Sequence, residues 1–85
     1  MLEIRNFLGL HARAAARIVE LGKSFDSRLY LSKNNLEVDT DGVLSILCLS
    51  CPKGTSIRAR IVGEDAGAFM EALERLFENR FGENS

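Results

Sequence analysis

A histidine and an arginine two positions apart, His11 and Arg13, form the clearest chemical signal in this chain. His11 is the only histidine, and it stands between Gly9 and an alanine-rich run that begins at Ala12. The run has no glycine or proline before Leu21, so it predicts a helix that starts directly after the histidine. A helix start is partly positive and has unpaired N–H groups, which suit a phosphate group. Because Arg13 adds a fixed positive charge, we predict that His11 accepts and donates a phosphoryl group.

The spacing alone is more often that of a surface or capping histidine without any chemistry. The chain has no second histidine, and no Ser-His-Asp arrangement can be assembled around His11. Both interpretations therefore stay open when only these residue types and spacings are considered.

A longer signature surrounds the histidine, and the chain reads Gly9-Leu10-His11-Ala12-Arg13-Ala14-Ala15 there. This segment resembles the active-site signature of the HPr family, the histidine-containing phosphocarriers of the bacterial phosphotransferase system. The family pattern is G-[LM]-H-[AT]-R-P-A, and Ala14 replaces its usual proline. Proline pre-sets the first helical turn, but alanine adopts the same backbone geometry, so we expect the site to survive. The resemblance extends over nearly the whole chain and implies phosphorylation at Nδ1 of His11.

Length and composition favour one small domain and argue against several classes of protein. The 85 residues include 11 basic and 12 acidic side chains, for a net charge of −1, and 46% are hydrophobic. A nucleic-acid or membrane-surface binder would need a basic excess. Membrane insertion needs an apolar run of ~20 residues, and secretion needs a signal peptide, and the sequence shows neither pattern. We expect a single domain over residues 1–85, located in the cytoplasm.

Two cysteines, Cys48 and Cys51, form a C-x-x-C pair that could be a redox dithiol or half of a zinc site. A zinc site needs about four ligands, and one distant histidine does not complete the set. A redox pair normally opens a helix, whereas this pair follows an apolar run and precedes a proline. We expect no metal site, with Cys48 packed as a small apolar side chain and Cys51 in a loop. A redox role for the pair stays open.

The apolar periodicity predicts most of the secondary structure. Alternation indicates strands at residues 2–5, 28–32, 36–39 and 56–62, with Asn34-Asn35 as a hairpin turn between the middle two. Helical spacing indicates one helix from Ala12 to about Lys23 and another that opens at Gly63-Glu64-Asp65, with acidic residues in its first turn. We expect the tail at residues 82–85 to be frayed.

The apolar run at residues 43–49 is ambiguous, and its density of Val, Ile and Leu by itself favours a strand. The resemblance to the HPr family implies a short helix there instead. The resulting order βαββαβα predicts an α+β open-faced sandwich. In this fold a four-stranded antiparallel sheet is covered on one face by three helices.

The resemblance implies a phosphoryl carrier and not an independent catalyst. The sequence has no nucleotide loop of the G-x-x-x-x-G-K-[ST] type, and we expect no cofactor. The implied donor is enzyme I, the implied acceptor is an enzyme II A component, and we expect a monomer. Arg13 and the backbone N–H of Ala12 are expected to stabilise the phosphate. The partner-binding surface is expected to comprise Ala16, Arg17, Glu20, Lys23, Val43, Leu44 and Leu47, although the last three also fit an ordinary core.

Two further comparisons with the family concern regulation. Many Gram-positive HPr proteins carry a kinase-phosphorylated serine at a position that corresponds to Gly42, so we predict no serine switch. The stretch Ser24-Phe25-Asp26 and residues 76–81 look more like the nitrogen-related branch, NPr. The alternative function is therefore a regulatory HPr-like protein that acts through phosphorylation-dependent partner binding without sugar transport.

Overall fold

Four strands form one antiparallel sheet in the spatial order β1-β4-β2-β3. A computed structural model describes residues 1–84. The strands are β1 (Leu2–Glu3), β2 (Arg28–Lys33), β3 (Leu36–Asp39) and β4 (Ser56–Val62). The helices are α1 (Ala12–Gly22), α2 (Val43–Leu47) and α3 (Ala66–Glu78), followed by a 3₁₀ turn at Arg80–Gly82. The predicted open-faced sandwich with three helices on one face of the sheet is confirmed.

The hairpin between β2 and β3 forms as its turn residues predict. Asn34 and Asn35 have φ values of 51° and 70°, the left-handed angles that a two-residue hairpin turn of type I′ requires. Side chains alternate across a strand, so Leu29 and Leu31 of β2 point to the same face of the sheet. Both are buried, and this face packs against the helices.

The core lies between the sheet and the helices, and each long helix contributes one stripe to it. On α1 the buried stripe includes Ala14, the residue at the signature's proline position, which is completely inaccessible to solvent. On α3 the buried side chains recur at helical spacing and are Phe69, Leu73 and Phe77. Within residues 1–84, none of the helices combines the length and the apolar character that crossing a bilayer requires.

The apolar run at residues 43–49 is helical over most of its length, as the resemblance implied and not as the pattern alone favoured. Gly42 is the N-cap of α2 and provides no side-chain cap. Ile46 and Leu49 are buried while Leu44 is exposed, so only one side of the run packs into the core. The run shows no clear helical period because Leu44, on the exposed side of the helix, is also a large apolar residue.

The prediction for the start of α3 was wrong. The helix begins at Ala66, and its first turn contains no acidic residue. The carboxylate of Asp65 instead accepts hydrogen bonds from the Ser27 hydroxyl and from the backbone N–H groups of Asp26 and Ser27. These bonds, led by the Ser27 hydroxyl, lower the pKa of the Asp65 carboxyl. The Asp65 carboxylate therefore binds a loop that is distant in sequence, although the sequence predicted that it would lie in the first turn of the helix.

The prediction for the two cysteines was wrong for Cys48, which does not pack in the core, whereas Cys51 lies in a loop as predicted but is buried there. Cys48 is exposed, and Cys51 is only 4% exposed within the core. Cys48 is the C-cap of α2, and the chain then turns at Ser50 with φ 51°, which brings Cys51 back inward. Burial raises the pKa of the Cys51 thiol, although the positive charge of Lys33 opposes this shift.

Candidate functional site

His11 is the N-cap residue of α1, with the extended backbone angles φ −85° and ψ −179°. Its ring atom Nδ1 accepts a hydrogen bond from the backbone N–H of Arg13 at 3.3 Å. The imidazole thus satisfies one of the N–H groups that a helix start leaves unpaired. The ring lies at the positive end of the α1 dipole, in the position where the sequence analysis placed it.

The loop that leads to His11 is held by backbone contacts to the segment before β4. The N–H of Leu10 donates to the carbonyl of Cys51 at 2.8 Å, and the N–H of Ile4 donates to the carbonyl of Thr55 at the same distance. Gly9 has φ 72°, and a Cβ atom there would lie 2.6 Å from the carbonyl oxygen of Cys51. Only glycine fits this position, so the signature glycine brings two backbones together beside the histidine.

A carboxylate that the sequence analysis missed contacts the other ring nitrogen. Oε2 of Glu83 pairs with Nε2 of His11, and Oε1 of Glu83 accepts a hydrogen bond from Nδ2 of Asn6 at 2.7 Å. The side chains of His11 and Glu83 are 26% and 12% exposed. The predicted frayed tail is therefore wrong for Gly82 and Glu83, and Ser85 lies outside the described residues.

The C-terminal segment (residues 80–84) reaches the histidine because Phe81 anchors it. Phe81 is completely buried, and its ring centroid lies 4.8 Å from that of Phe77 in an edge-on arrangement. Arg80 and Phe81 have φ values of 53° and 55°, which cost roughly 1–2 kcal/mol each for residues with a side chain. Burial of a phenylalanine side chain contributes about 1.5–3 kcal/mol and offsets most of this cost. An aromatic residue just beyond the last helix was the signal that could have revealed the segment.

The protonation pattern of the pair follows from its partners. Burial raises the pKa of the Glu83 carboxyl, but hydrogen bonds from Asn6 and His11 outweigh this effect, and the net result is a lowered pKa. Glu83 is therefore ionised at neutral pH and can only accept hydrogen bonds. The ring must hold its proton on Nε2 to donate to it, which leaves the lone pair on Nδ1 facing the Arg13 N–H.

An open depression of about 310 Å³ is lined in part by Glu83, the residue that pairs with the His11 ring. Two guanidinium groups line it, and the complete lining comprises Leu8, Arg13, Arg17, Gly82, Glu83 and Asn84. Arg13 and Arg17 are both exposed. The depression thus combines open space with two fixed positive charges and the carboxylate that contacts the histidine.

The residues expected to bind partners lie mostly at the surface. Helices α1 and α2 pack against each other. The expected partner-binding residues on α1 and at its C-cap are all exposed, namely Ala16, Arg17, Glu20 and Lys23, and Ala12 beside the histidine is exposed as well. On α2 only Leu44 is strongly exposed, at 79%, whereas Val43 and Leu47 are half-buried against the core. The sequence analysis missed Phe7 and Leu8, which are 69% and 64% exposed in the loop before His11.

Comparison with known proteins assigns this geometry to a family. A family model described as "PTS HPr component phosphorylation site" matches residues 1–79. The chain belongs to the HPr family. The phosphocarrier protein HPr of Xylella fastidiosa (strain Temecula1) is 44% identical over 84 residues, which cover 99% of this chain and 94% of that protein.

Other HPr relatives support the same assignment. The phosphocarrier protein NPr of Escherichia coli (strain K12) is 32% identical over 84 residues, covering 98% of this chain and 93% of that protein. The crystal structure of HPr-C-His from Thermoanaerobacter tengcongensis has a TM-score of 0.92 and 33% identity, over 99% of this chain and 94% of that one. Because relatives named HPr and NPr both match, assignment to the nitrogen-related branch stays a prediction. The phosphocarrier class of the phosphotransferase system is common to both.

Proposed function

We propose that this HPr family protein accepts a phosphoryl group on Nδ1 of His11 from enzyme I and passes it to an enzyme II A component. The observation that carries the proposal is the imidazole at the start of α1, with Nδ1 beside the Arg13 N–H. A neutral imidazole is a competent nucleophile near neutral pH. The unprotonated Nδ1 that the contacts of His11 require is the nucleophilic atom of such a ring.

During charging, the Nδ1 lone pair forms a bond to phosphorus while the bond from phosphorus to the donor breaks, and the donor keeps that electron pair. Nδ1 can then no longer accept the N–H of Arg13, which becomes available to a phosphoryl oxygen. The phosphoryl group carries up to about two negative charges. The helix dipole contributes ~0.3–1 kcal/mol of stabilisation at an exposed site, and the Arg13 guanidinium adds a full positive charge. A modest hold suits a carrier, because a tightly held group would not be transferred.

Partner docking is proposed to use the surface around His11. Exposed positive charges on Arg13, Arg17 and Lys23 surround small residues of α1, and Leu44 adds an apolar contact on α2. Such a surface suits a partner that presents acidic groups around an apolar centre. Phe7 and Leu8, which precede the histidine in the chain, add further exposed apolar side chains to this surface.

The remaining expectations are proposals of the same kind. The protein acts as a carrier without a cofactor, as a monomeric single domain over residues 1–85 in the cytoplasm. Gly42 caps α2 without a hydroxyl group, which supports the absence of a serine switch at that position.

The decisive test is incubation with enzyme I and phosphoenolpyruvate, which is expected to add one acid-labile phosphoryl group. His11→Asn is the most informative variant, because asparagine is a good helix N-cap but offers no ring nitrogen. Loss of labelling with an unchanged circular dichroism spectrum is expected. His11→Ala, which also removes the cap, serves as the comparison. Full labelling of His11→Asn would show that the phosphoryl group is carried elsewhere.

The second candidate is the regulatory, nitrogen-related function, which is supported by the match to the Escherichia coli NPr protein at 32% identity, beside 44% for the Xylella fastidiosa HPr protein. Under this alternative, phosphorylation of His11 changes partner affinity without feeding sugar transport. Rates of phosphorylation by sugar-type and nitrogen-type enzyme I, measured in parallel, discriminate between the two functions.

A further inference from the structure

We propose that Glu83 is a positioning residue for His11. Its carboxylate holds the ring so that the proton stays on Nε2 and the lone pair stays on Nδ1 throughout phosphoryl transfer. The inference rests on the function proposed above, and it gives a role to a residue far outside the signature at residues 9–15.

The first argument is that the two partners of the ring have opposite hydrogen-bonding character. The ionised carboxylate of Glu83, at Nε2, can only accept a hydrogen bond, and the backbone N–H of Arg13, at Nδ1, can only donate one. A neutral imidazole satisfies both partners in one tautomer only, with the proton on Nε2. The geometry therefore selects the form of His11 in which Nδ1 is free to attack.

The second argument is that Glu83 is itself held in place from the opposite end of the chain. Nδ2 of Asn6 donates to Oε1 of Glu83 and to the carbonyl of Gly9, both at 2.7 Å. Asn6 is completely buried, and its Oδ1 has no hydrogen-bond partner within residues 1–84. Both N–H groups of the Asn6 amide therefore join the histidine loop to the C-terminal segment, and its oxygen is left without a hydrogen bond within residues 1–84.

The third argument concerns charge during the reaction. The ring becomes positive as the bond between Nδ1 and phosphorus forms, and the adjacent carboxylate stabilises that charge, as in other carboxylate–histidine pairs. On discharge, the electron pair of that bond returns to Nδ1. The proton remains on Nε2 in both directions, so Glu83 acts by orientation and charge and does not take up the proton.

The contact can be tested without any phosphoryl transfer by NMR of the ¹⁵N-labelled, unphosphorylated protein. We expect a downfield, slowly exchanging ring N–H resonance assigned to Nε2 of His11. Glu83→Ala should lose this resonance while the Phe81 ring resonances stay in place. Glu83→Gln keeps one acceptor oxygen, which the ring N–H and Nδ2 of Asn6 must share, so the resonance should persist with a smaller downfield shift. A wild-type protein without it would overturn the proposal.

The kinetic consequence is tested with phosphoramidate, a small phosphoryl donor that needs no protein docking. Glu83→Ala should be phosphorylated more slowly by on the order of tenfold, the usual range for loss of a carboxylate that orients a histidine. Glu83→Gln keeps an orienting oxygen but removes the negative charge, so it should recover only part of the rate. Glu78→Ala removes an exposed glutamate from the end of α3 and should match the wild type. An unchanged rate in Glu83→Ala would overturn the proposal.

The two proposals fail in different ways. If the wild type shows the Nε2 resonance but neither phosphoramidate nor enzyme I labels it, the phosphocarrier function fails and the contact still stands. If the wild type is labelled normally and Glu83→Ala behaves identically in both experiments, only the role of Glu83 fails.

Discussion

Two segments hold the imidazole from opposite sides, and they do so by different means. The loop before His11 is fixed by backbone hydrogen bonds to the segment around Cys51 and Thr55. The C-terminal segment is held by side chains, through the buried Phe81 and the carboxylate of Glu83. The loop therefore depends mainly on its backbone, together with Gly9 and the buried amide of Asn6, whereas the C-terminal segment depends on Phe81 and Glu83.

This difference teaches where a short sequence signature ends and where the rest of a site begins. The loop leaves a compact pattern in the sequence, because one glycine and one helix start lie next to the histidine. The C-terminal segment leaves almost none, because its contact with His11 joins residues 72 positions apart. Perturbing each side separately should show whether the site needs both.

The largest effect is expected from Phe81→Ala, which removes the anchor of the C-terminal segment. Loss of a completely buried phenylalanine should lower the free energy of unfolding by about 3–5 kcal/mol and release Glu83 from His11. Urea denaturation measures the first effect, and the Nε2 proton resonance reports the second. Phe7→Ala, at an exposed position, is the control and should change stability little. Equal losses in the two variants would contradict the anchoring role.

The next effect is expected from Gly9→Ala, which attacks the loop. The left-handed backbone costs roughly 1–2 kcal/mol and the overlap with the Cys51 carbonyl about 1–3 kcal/mol, so a total of about 2–5 kcal/mol is expected. Thermal or urea unfolding measures the loss. Gly67→Ala on α3 is the matched control, since a Cβ atom there meets no neighbour, and it should be neutral or slightly stabilising. If both variants behave alike, the loop is less tightly fixed than its contacts indicate.

The smallest effect is expected from lowering the pH, which protonates Glu83 and so weakens the C-terminal segment without altering the loop before His11. The folded-state pKa of Glu83 is lowered, so its contribution to stability is complete above its unfolded pKa of about 4.3 and disappears as the pH falls through the folded value. The stability difference between wild type and Glu83→Gln should therefore shrink as the pH falls below about 4.3. Urea midpoints across this range measure it. A difference that grows in acid would contradict the assigned direction.

Much of the fold was predictable because local signals agreed with the tertiary structure. The hairpin at Asn34-Asn35 and strand β4 followed from turn chemistry and alternation, and both formed at the expected residues. The run at residues 43–49 needed the family resemblance, because a short helix with apolar residues on both faces carries no clear period.

The errors share one physical cause, namely contacts between residues distant in sequence. Asp65 binds a loop 38 residues away and does not serve the start of α3. Cys51 is buried because the chain reverses at Ser50, and serine is not a residue type that predicts a left-handed turn. Glu83 was missed for the same reason, while His11 and Arg13 were found because their arrangement is local.

The position of Glu83 has a practical consequence for reagents made from this protein. An affinity tag or fluorophore fused after Ser85 begins only three positions beyond Glu83, whose carboxylate contacts the imidazole. Such a fusion would crowd the surface that visiting proteins must reach. Met1 is 83% exposed and is the better attachment point for pull-down or binding assays.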